Sequence, residues 1–168
     1  MQFDLDDQRH LEAAEGWLEL GLPRDATAEL DQIAPQRRGH PDVLELRWHI
    51  GAKEKQWATC LTLAATLIQL APERADGWIH CSFALHELRR TQEAFDQLLP
   101  TVDRFPRVWT IPYNLACYAS QLRQFPAAQK WLERALAVDK KMVQRAALVD
   151  EDLKPLWASM GGIMGKRE

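Results

Sequence analysis

The chain has 168 residues and a mass of 19.3 kDa, which suits a single domain with one continuous core. Apolar residues make up 46% and charged residues 27%, as in an ordinary globular protein, and no apolar run approaches the ~20 residues that span a bilayer. The net charge is −3, so no overall basic field exists to hold nucleic acid. We therefore expect neither a nucleic-acid partner nor a membrane partner.

The beginning of the chain and the cysteines indicate a compartment. Residues 1–7 carry acids where a secretory or transit peptide would carry basic residues, and no apolar stretch of signal-peptide length follows them. Cys60, Cys81 and Cys117 are odd in number and widely spaced, so a disulfide framework is not expected. Both observations predict a cytoplasmic protein.

A 34-residue recurrence runs through the chain. Small residues recur at this interval, each followed by further small or apolar residues four and seven positions later, which is the spacing of one helix face. The three sets of positions are Ala26, Cys60, Ala94 and Ala128; Leu30, Ala64, Leu98 and Leu132; and Ile33, Leu67, Thr101 and Ala135. These sets predict four equivalent amphipathic helices.

Another amphipathic segment precedes each of these helices. In chain order these upstream segments are residues 8–20, 42–54, 76–89 and 109–122, each separated from its partner by a short break such as Gly21-Leu-Pro23. A lone pair of antiparallel helices leaves one apolar face exposed, so the pairs must stack. The sequence therefore predicts an all-α, right-handed α-solenoid of four helix hairpins.

The pattern resembles the tetratricopeptide repeat (TPR) family, whose units also have 34 residues with small residues at the eighth and twentieth positions and a proline near the end. The fourth unit carries the resemblance best, through Tyr113 to Tyr118, Ala128 and Trp131-Leu132. The second unit departs from the family pattern, because Arg47 and Trp48 stand where a large apolar and a small residue are usual. The length and repeat count are those of small stand-alone proteins of this family.

The predicted organisation is one TPR-like domain over residues 1–168. Its repeats are residues 7–40, 41–74, 75–108 and 109–140, and residues 140–160 form capping helices. Asp150 is expected to be an N-cap in the capping region, and Leu153 and Leu156 are expected to be apolar contacts. The glycine-rich tail 161–168 is expected to be flexible.

The sequence contains little that predicts chemistry. Histidines and cysteines that could ligate a soft metal show no pair at i, i+3 or i+4 spacing; they are His49, His80, Cys81, His86 and Cys117. No serine lies in a nucleophile elbow. We therefore expect no catalytic residues, no cofactor and no metal site.

The face of each first helix that the core does not use is the candidate functional element, since in the TPR family this face lines a concave groove. Exposed apolar neighbours on such a face usually mark a contact surface. The predicted peptide-binding groove comprises Glu45, His49, Ile79, His80, Phe83, His86, Tyr113, Asn114, Cys117 and Gln121.

The resulting functional prediction is a non-enzymatic protein-interaction module that binds a peptide segment of a protein partner in its groove, as an adaptor or a chaperone-like protein. This prediction goes with a monomer. The alternatives are a self-assembling scaffold, seen as a homodimer, and an enzyme with a closed pocket of convergent titratable groups.

Overall fold

A computed structural model describes residues 3–159 of the chain. Within this range the chain forms ten α-helices and short 3₁₀ turns, with no strand. The helices are α1 (Leu5–Glu19), α2 (Pro23–Leu30), α3 (Pro41–Lys53), α4 (Trp57–Leu70), α5 (Ala75–Glu87), α6 (Thr91–Leu98), α7 (Thr110–Gln121), α8 (Phe125–Val138), α9 (Lys140–Ala147) and α10 (Lys154–Ser159). The fold class is all-α, as the sequence predicts.

The positions that recur at 34 residues are the buried ones. Ala26, Cys60, Ala94 and Ala128 are each 0% exposed, and the residues that follow them by four and seven positions are buried as well. A side chain with no exposed surface leaves no room for a larger one, which explains why these four positions hold small residues. The predicted helix face is thus confirmed along the chain.

The turn between the two helices of each hairpin also repeats at 34 residues. Gly21, Lys55, Arg89 and Arg123 all have a left-handed backbone, with φ between 57° and 77°. In each turn the next residue donates its N–H to a carbonyl five residues earlier, over 2.8 to 2.9 Å. This is the Schellman closure of a helix, which places glycine most easily at the left-handed position.

By its contacts the chain divides into two compact units, the first ending at Ala84 and the second starting at Leu85, so the division falls within α5. In the first unit α1 packs on α2, α3 packs on α4, and α3 also packs on both α1 and α2. The core of this unit comprises Ala14, Ala26, Leu30, Ile33, Val43, Leu46 and Ile50.

Helices α4 and α5 approach closely inside the first unit. A Cβ atom added to Gly77 would lie 3.0 Å from the backbone nitrogen of Ile68 and 3.1 Å from Cβ of Leu67. Such distances are shorter than ordinary van der Waals contact. Glycine at position 77 therefore sets how near the two helices lie.

In the second unit α7 packs against α6 and α8, and the C-terminal region covers α7 and α8. The capping region consists of α9, a 3₁₀ turn at Glu151–Leu153 and α10. Oδ1 of Asp150 accepts the N–H of Asp152 at 3.0 Å, and Leu153 and Leu156 are fully buried. The predicted cap residue and apolar contacts are confirmed.

The glycine-rich tail 161–168 lies outside the described residues, so its expected flexibility stays a prediction. The boundaries of the four repeats and of the single domain stay predictions too. Among the helices of residues 3–159, none has the length and apolar character that crossing a bilayer requires.

Candidate functional site

The predicted groove residues fall on both units. The first unit holds Glu45 and His49 on α3, and Ile79, His80 and Phe83 on α5. The second unit holds His86 at the end of α5, and Tyr113, Asn114, Cys117 and Gln121 on α7. The two groups have different surroundings.

In the second unit, the chain's own segment from Asp150 to Asp152 lies on the predicted groove face. The Tyr113 hydroxyl donates a 2.7 Å hydrogen bond to Oδ2 of Asp150, and Sγ of Cys117 lies 3.6 Å from the same oxygen. Tyr113 is 5% exposed and Cys117 is 4% exposed. These two side chains bind the chain itself and form no open surface.

The same segment also takes up Gln121 and His86. The Gln121 side-chain amide donates to the carbonyl oxygen of Asp152 at 2.9 Å, and Nε2 of His86 lies 3.0 Å from Oδ2 of Asp152. Nδ1 of His86 lies 3.0 Å from Oγ1 of Thr91, so both ring nitrogens of this buried histidine have partners. Of the predicted groove residues in this unit, Asn114 alone is half-buried without a contact to the segment among those described.

The second unit thus differs from the open groove that the sequence suggests. The physical reason is that the acidic turn after α9 reaches back to α7, where a hydroxyl, a thiol and an amide can all donate to its oxygens. Burial raises the pKa of Tyr113 far above its ordinary value. Burial, and then the charge of Asp150, raise the pKa of Cys117. Both groups therefore remain protonated donors.

In the first unit, Phe83 and Ile79 are half-buried. The Phe83 ring lies edge-on between two indoles, with centroid distances of 6.2 Å to Trp48 and 5.7 Å to Trp57. Part of the predicted apolar surface is therefore used within the unit, and the remainder is accessible.

A cleft of about 530 Å³ opens in the first unit. Its lining residues are Glu15, Leu18, Glu19, Asp42, Glu45, Leu46, His49, Lys53 and Arg74. Two leucines give it an apolar floor, and four carboxylates face two basic groups. The cleft is acidic, with an apolar patch.

Arg74 does not offset this acidity for an incoming ligand, because it is already bound. Its guanidinium donates to Asp42 at 2.6 Å, to Oε2 of Glu45, and to Asp76 at 3.4 Å. Burial raises the pKa of Glu45, and the charge of Asp76 adds to this effect against the lowering by Arg74. Glu15 and Glu19 remain exposed on α1.

Beside Arg74, three potential metal ligands converge. Glu45 and His49 are one turn apart on α3, His80 comes from α5, and their ligand atoms lie within 4.8 Å of one another. The His80 ring stacks on Trp48 at a centroid distance of 3.9 Å and stands edge-on to His49 at 5.1 Å. Burial, assisted by His49, lowers the pKa of His80 to about 3, and desolvation also lowers the pKa of His49.

The sequence contains half of the signal for this cluster. Glu45 and His49 have the i, i+4 spacing of a helical ligand pair, which a search restricted to histidine and cysteine overlooks. The third member, His80, is far away in the chain. The three cysteines are buried and lie outside this cluster.

Comparison with known proteins identifies relatives by structure only. The sequence matches no protein-family model and no curated protein. The fold is similar to that of TTC0263, described as a thermophilic TPR protein in Thermus thermophilus. The TM-score is 0.76 and the identity 19%, over 92% of this chain and 83% of that one.

The fold is also similar to that of MamA from Desulfovibrio magneticus RS-1. There the TM-score is 0.71 and the identity 15%, over 97% of this chain and 96% of that one. Identities this low establish the fold and nothing finer. The chain is a TPR-like helical-repeat protein.

Proposed function

We propose that the chain is a protein-interaction module, and that the acidic cleft of the first unit binds a basic segment of a protein partner. The observation that carries this proposal is the charge of the cleft. Glu15 and Glu19 are exposed without a basic side chain bound to them among the described contacts, while Arg74 is held by three carboxylates. A segment rich in Lys or Arg complements such a surface.

The apolar floor defines the second requirement for the partner. Leu46 is buried and Leu18 half-buried where they line the cleft, so one aliphatic side chain of the partner would gain contact there. Buried anchors of this kind supply most binding energy, whereas exposed carboxylates mainly accelerate and orient association. Phe83 remains a candidate for a further anchor.

The second unit supports the idea that these helix faces accept extended chain. Its own turn at Asp150–Asp152 is held there through side-chain and backbone oxygens. A partner that uses this face must first displace the turn. We therefore place the partner's basic segment in the first unit, where no described segment covers the cleft.

A matched pair of short fluorescein-labelled peptides tests the proposal. One peptide has Lys and Arg flanking a leucine, and the other has Glu at the same positions. We expect the basic peptide to raise fluorescence anisotropy on titration with the protein, with an affinity that falls as salt increases. Equal binding of the two peptides would contradict the proposal.

Charge variants locate the binding site. Neutralising the cleft with Glu15→Gln and Glu19→Gln should weaken basic-peptide binding about two- to fivefold. The control carries the same loss of charge on exposed residues outside the cleft, Glu54→Gln and Glu133→Gln. An equal effect of the control pair would mean that net charge, and no defined cleft, attracts the peptide.

We further propose that the chain acts as a monomer without catalysis and in the cytoplasm, in an adaptor or chaperone-like role. Light scattering over a concentration series should give a constant mass near 19.3 kDa. A mass that doubles with concentration would favour the self-assembling scaffold.

A further inference from the structure

The first unit contains a cluster that peptide binding does not explain. Nε2 of His80 is buried and has no hydrogen-bond partner among the described residues, although His80 is only 8% exposed. Leaving a buried polar nitrogen unpaired costs about 1–3 kcal/mol. The nearest acceptor, Oε1 of Glu45, lies 4.0 Å away, which is too far for a hydrogen bond.

The direction of this nitrogen is what gives it meaning. The His80 ring is fixed by its stack on Trp48, with 10° between the ring planes. In that orientation Nε2 faces Glu45 and the exposed His49, so an imidazole lone pair meets a carboxylate oxygen and a second imidazole.

We propose that Glu45, His49 and His80 form a binding site for a divalent transition-metal ion, with Zn²⁺ as the natural occupant. Two imidazole nitrogens and one carboxylate oxygen are a donor set that Zn²⁺ takes with one position left open. The open position would face the cleft, because Glu45 and His49 both line it.

The protein fits the ion with small movements. Ligand atoms around a tetrahedral zinc ion are about 3.3 Å apart, given bonds of about 2.0–2.1 Å, so the three side chains must close by about 1 Å. His49 is exposed and can rotate, whereas His80 is fixed by Trp48. The cleft supplies the path by which the ion enters.

Arg74 prepares the carboxylate for this role. It binds Oε2 of Glu45 and leaves Oε1 directed toward His80. A hydrogen bond to the second oxygen of a ligating carboxylate fixes its orientation, and losing such an outer contact typically costs ten- to a hundredfold in metal affinity. The lowered pKa values of the two histidines keep both imidazoles neutral, as metal ligation requires.

The test is a titration of the full chain, freed of metal by a chelator, with Zn²⁺ in a calorimeter. We expect one ion per chain, and a melting temperature that rises with Zn²⁺ concentration. Titration with Co²⁺ adds a spectroscopic readout, because a four-coordinate site of nitrogen and oxygen ligands absorbs in the visible range without the intense thiolate band that cysteine ligation would produce.

Three variants assign the ligands. His80→Phe keeps an aromatic ring on Trp48, His49→Ala changes an exposed side chain that the fold does not need, and Glu45→Gln removes the charge. Each should weaken Zn²⁺ binding by more than about tenfold. His10→Gln is the matched control, since His10 forms a partly exposed pair with Glu29 at 2.8 Å away from the cluster.

The outcomes separate cleanly. Wild-type affinity in His49→Ala, an equal loss in His10→Gln, or a thiolate band with Co²⁺ would each overturn the metal site. None of these results depends on the basic peptide, so the metal site can fail while the proposed partner binding stands, and the reverse.

Discussion

The hydroxyl of Tyr113 donates a 2.7 Å hydrogen bond to Asp150, a residue 37 positions later in the chain. Through this bond an acidic turn occupies the helix face on which the sequence places a partner. The face therefore shows what it accepts, namely carboxylate and carbonyl oxygens received by hydroxyl, thiol, amide and imidazole groups.

The contact between Asp150 and Cys117 predicts a change in thiol reactivity. The Asp150 charge favours the neutral thiol, so removing it lowers the pKa of Cys117 and raises the thiolate fraction at any given pH. In Asp150→Asn, the pH–rate profile of Cys117 alkylation should shift to lower pH. Peptide mapping by mass spectrometry separates Cys117 from the other two cysteines.

Asp139→Asn is the control for this experiment, because Asp139 also caps a helix, accepting the N–H of Met142 at 3.0 Å. It should leave the Cys117 profile unchanged. The same shift in both variants would indicate a general loosening of the C-terminal region and would contradict a specific Asp150 effect.

The fully buried small residues predict a cost for enlargement. Ala94→Leu and Ala128→Leu each add volume where the alanine has no exposed surface, and we expect each to lower the free energy of unfolding by about 1–3 kcal/mol. Urea denaturation followed by circular dichroism measures the change. Ala58→Leu, on the exposed face of α4, should have little effect, and unchanged stability in the two buried variants would disprove the assigned register.

The close approach of α4 and α5 predicts opposite effects of one substitution at two glycines. Gly77→Ala places a methyl group 3.0 Å from the Ile68 backbone nitrogen and should destabilise the chain by about 1–3 kcal/mol. Gly16→Ala meets nothing within 4 Å inside α1 and should stabilise it by about 0.5–1 kcal/mol. Thermal unfolding of the two variants would contradict this account if both shifted in the same direction.

The left-handed turn residues predict stabilisation by glycine. Lys55→Gly, Arg89→Gly and Arg123→Gly each remove a Cβ from a left-handed backbone, and each should add about 0.5–1 kcal/mol to the free energy of unfolding. Gly21→Ala should have the opposite sign at the equivalent position. Differential scanning calorimetry provides the comparison, and a loss of stability in all three glycine variants would mean that their side-chain contacts outweigh the backbone strain.

The fold was predictable because its signal is local and repeated. Ala26, Cys60, Ala94 and Ala128 mark the tightest point of each hairpin, and a helix face follows from spacing alone. Trp48 is the exception in this pattern. It occupies a position where the family usually has a small residue, yet it is buried against the ring of His80, a packing that no spacing rule indicates.

The candidate site was less predictable because its contacts are distant in sequence. The pairing of Asp150 with Tyr113, and that of His80 with Glu45, each join residues more than one repeat apart or in different hairpins. Periodicity identifies which face a residue occupies, but it carries no information on which distant segment covers that face.

The left-handed turns at Gly21, Lys55, Arg89 and Arg123 have a consequence for engineering. Since every hairpin is closed by the same backbone geometry at the same interval, a duplicated segment of 34 residues would join its neighbours in register, whereas a segment one residue longer or shorter would rotate the next helix by about 100°. Chain length in this architecture is therefore free to change only in whole steps, and lengthened forms of the protein should accept new hairpins only at that increment.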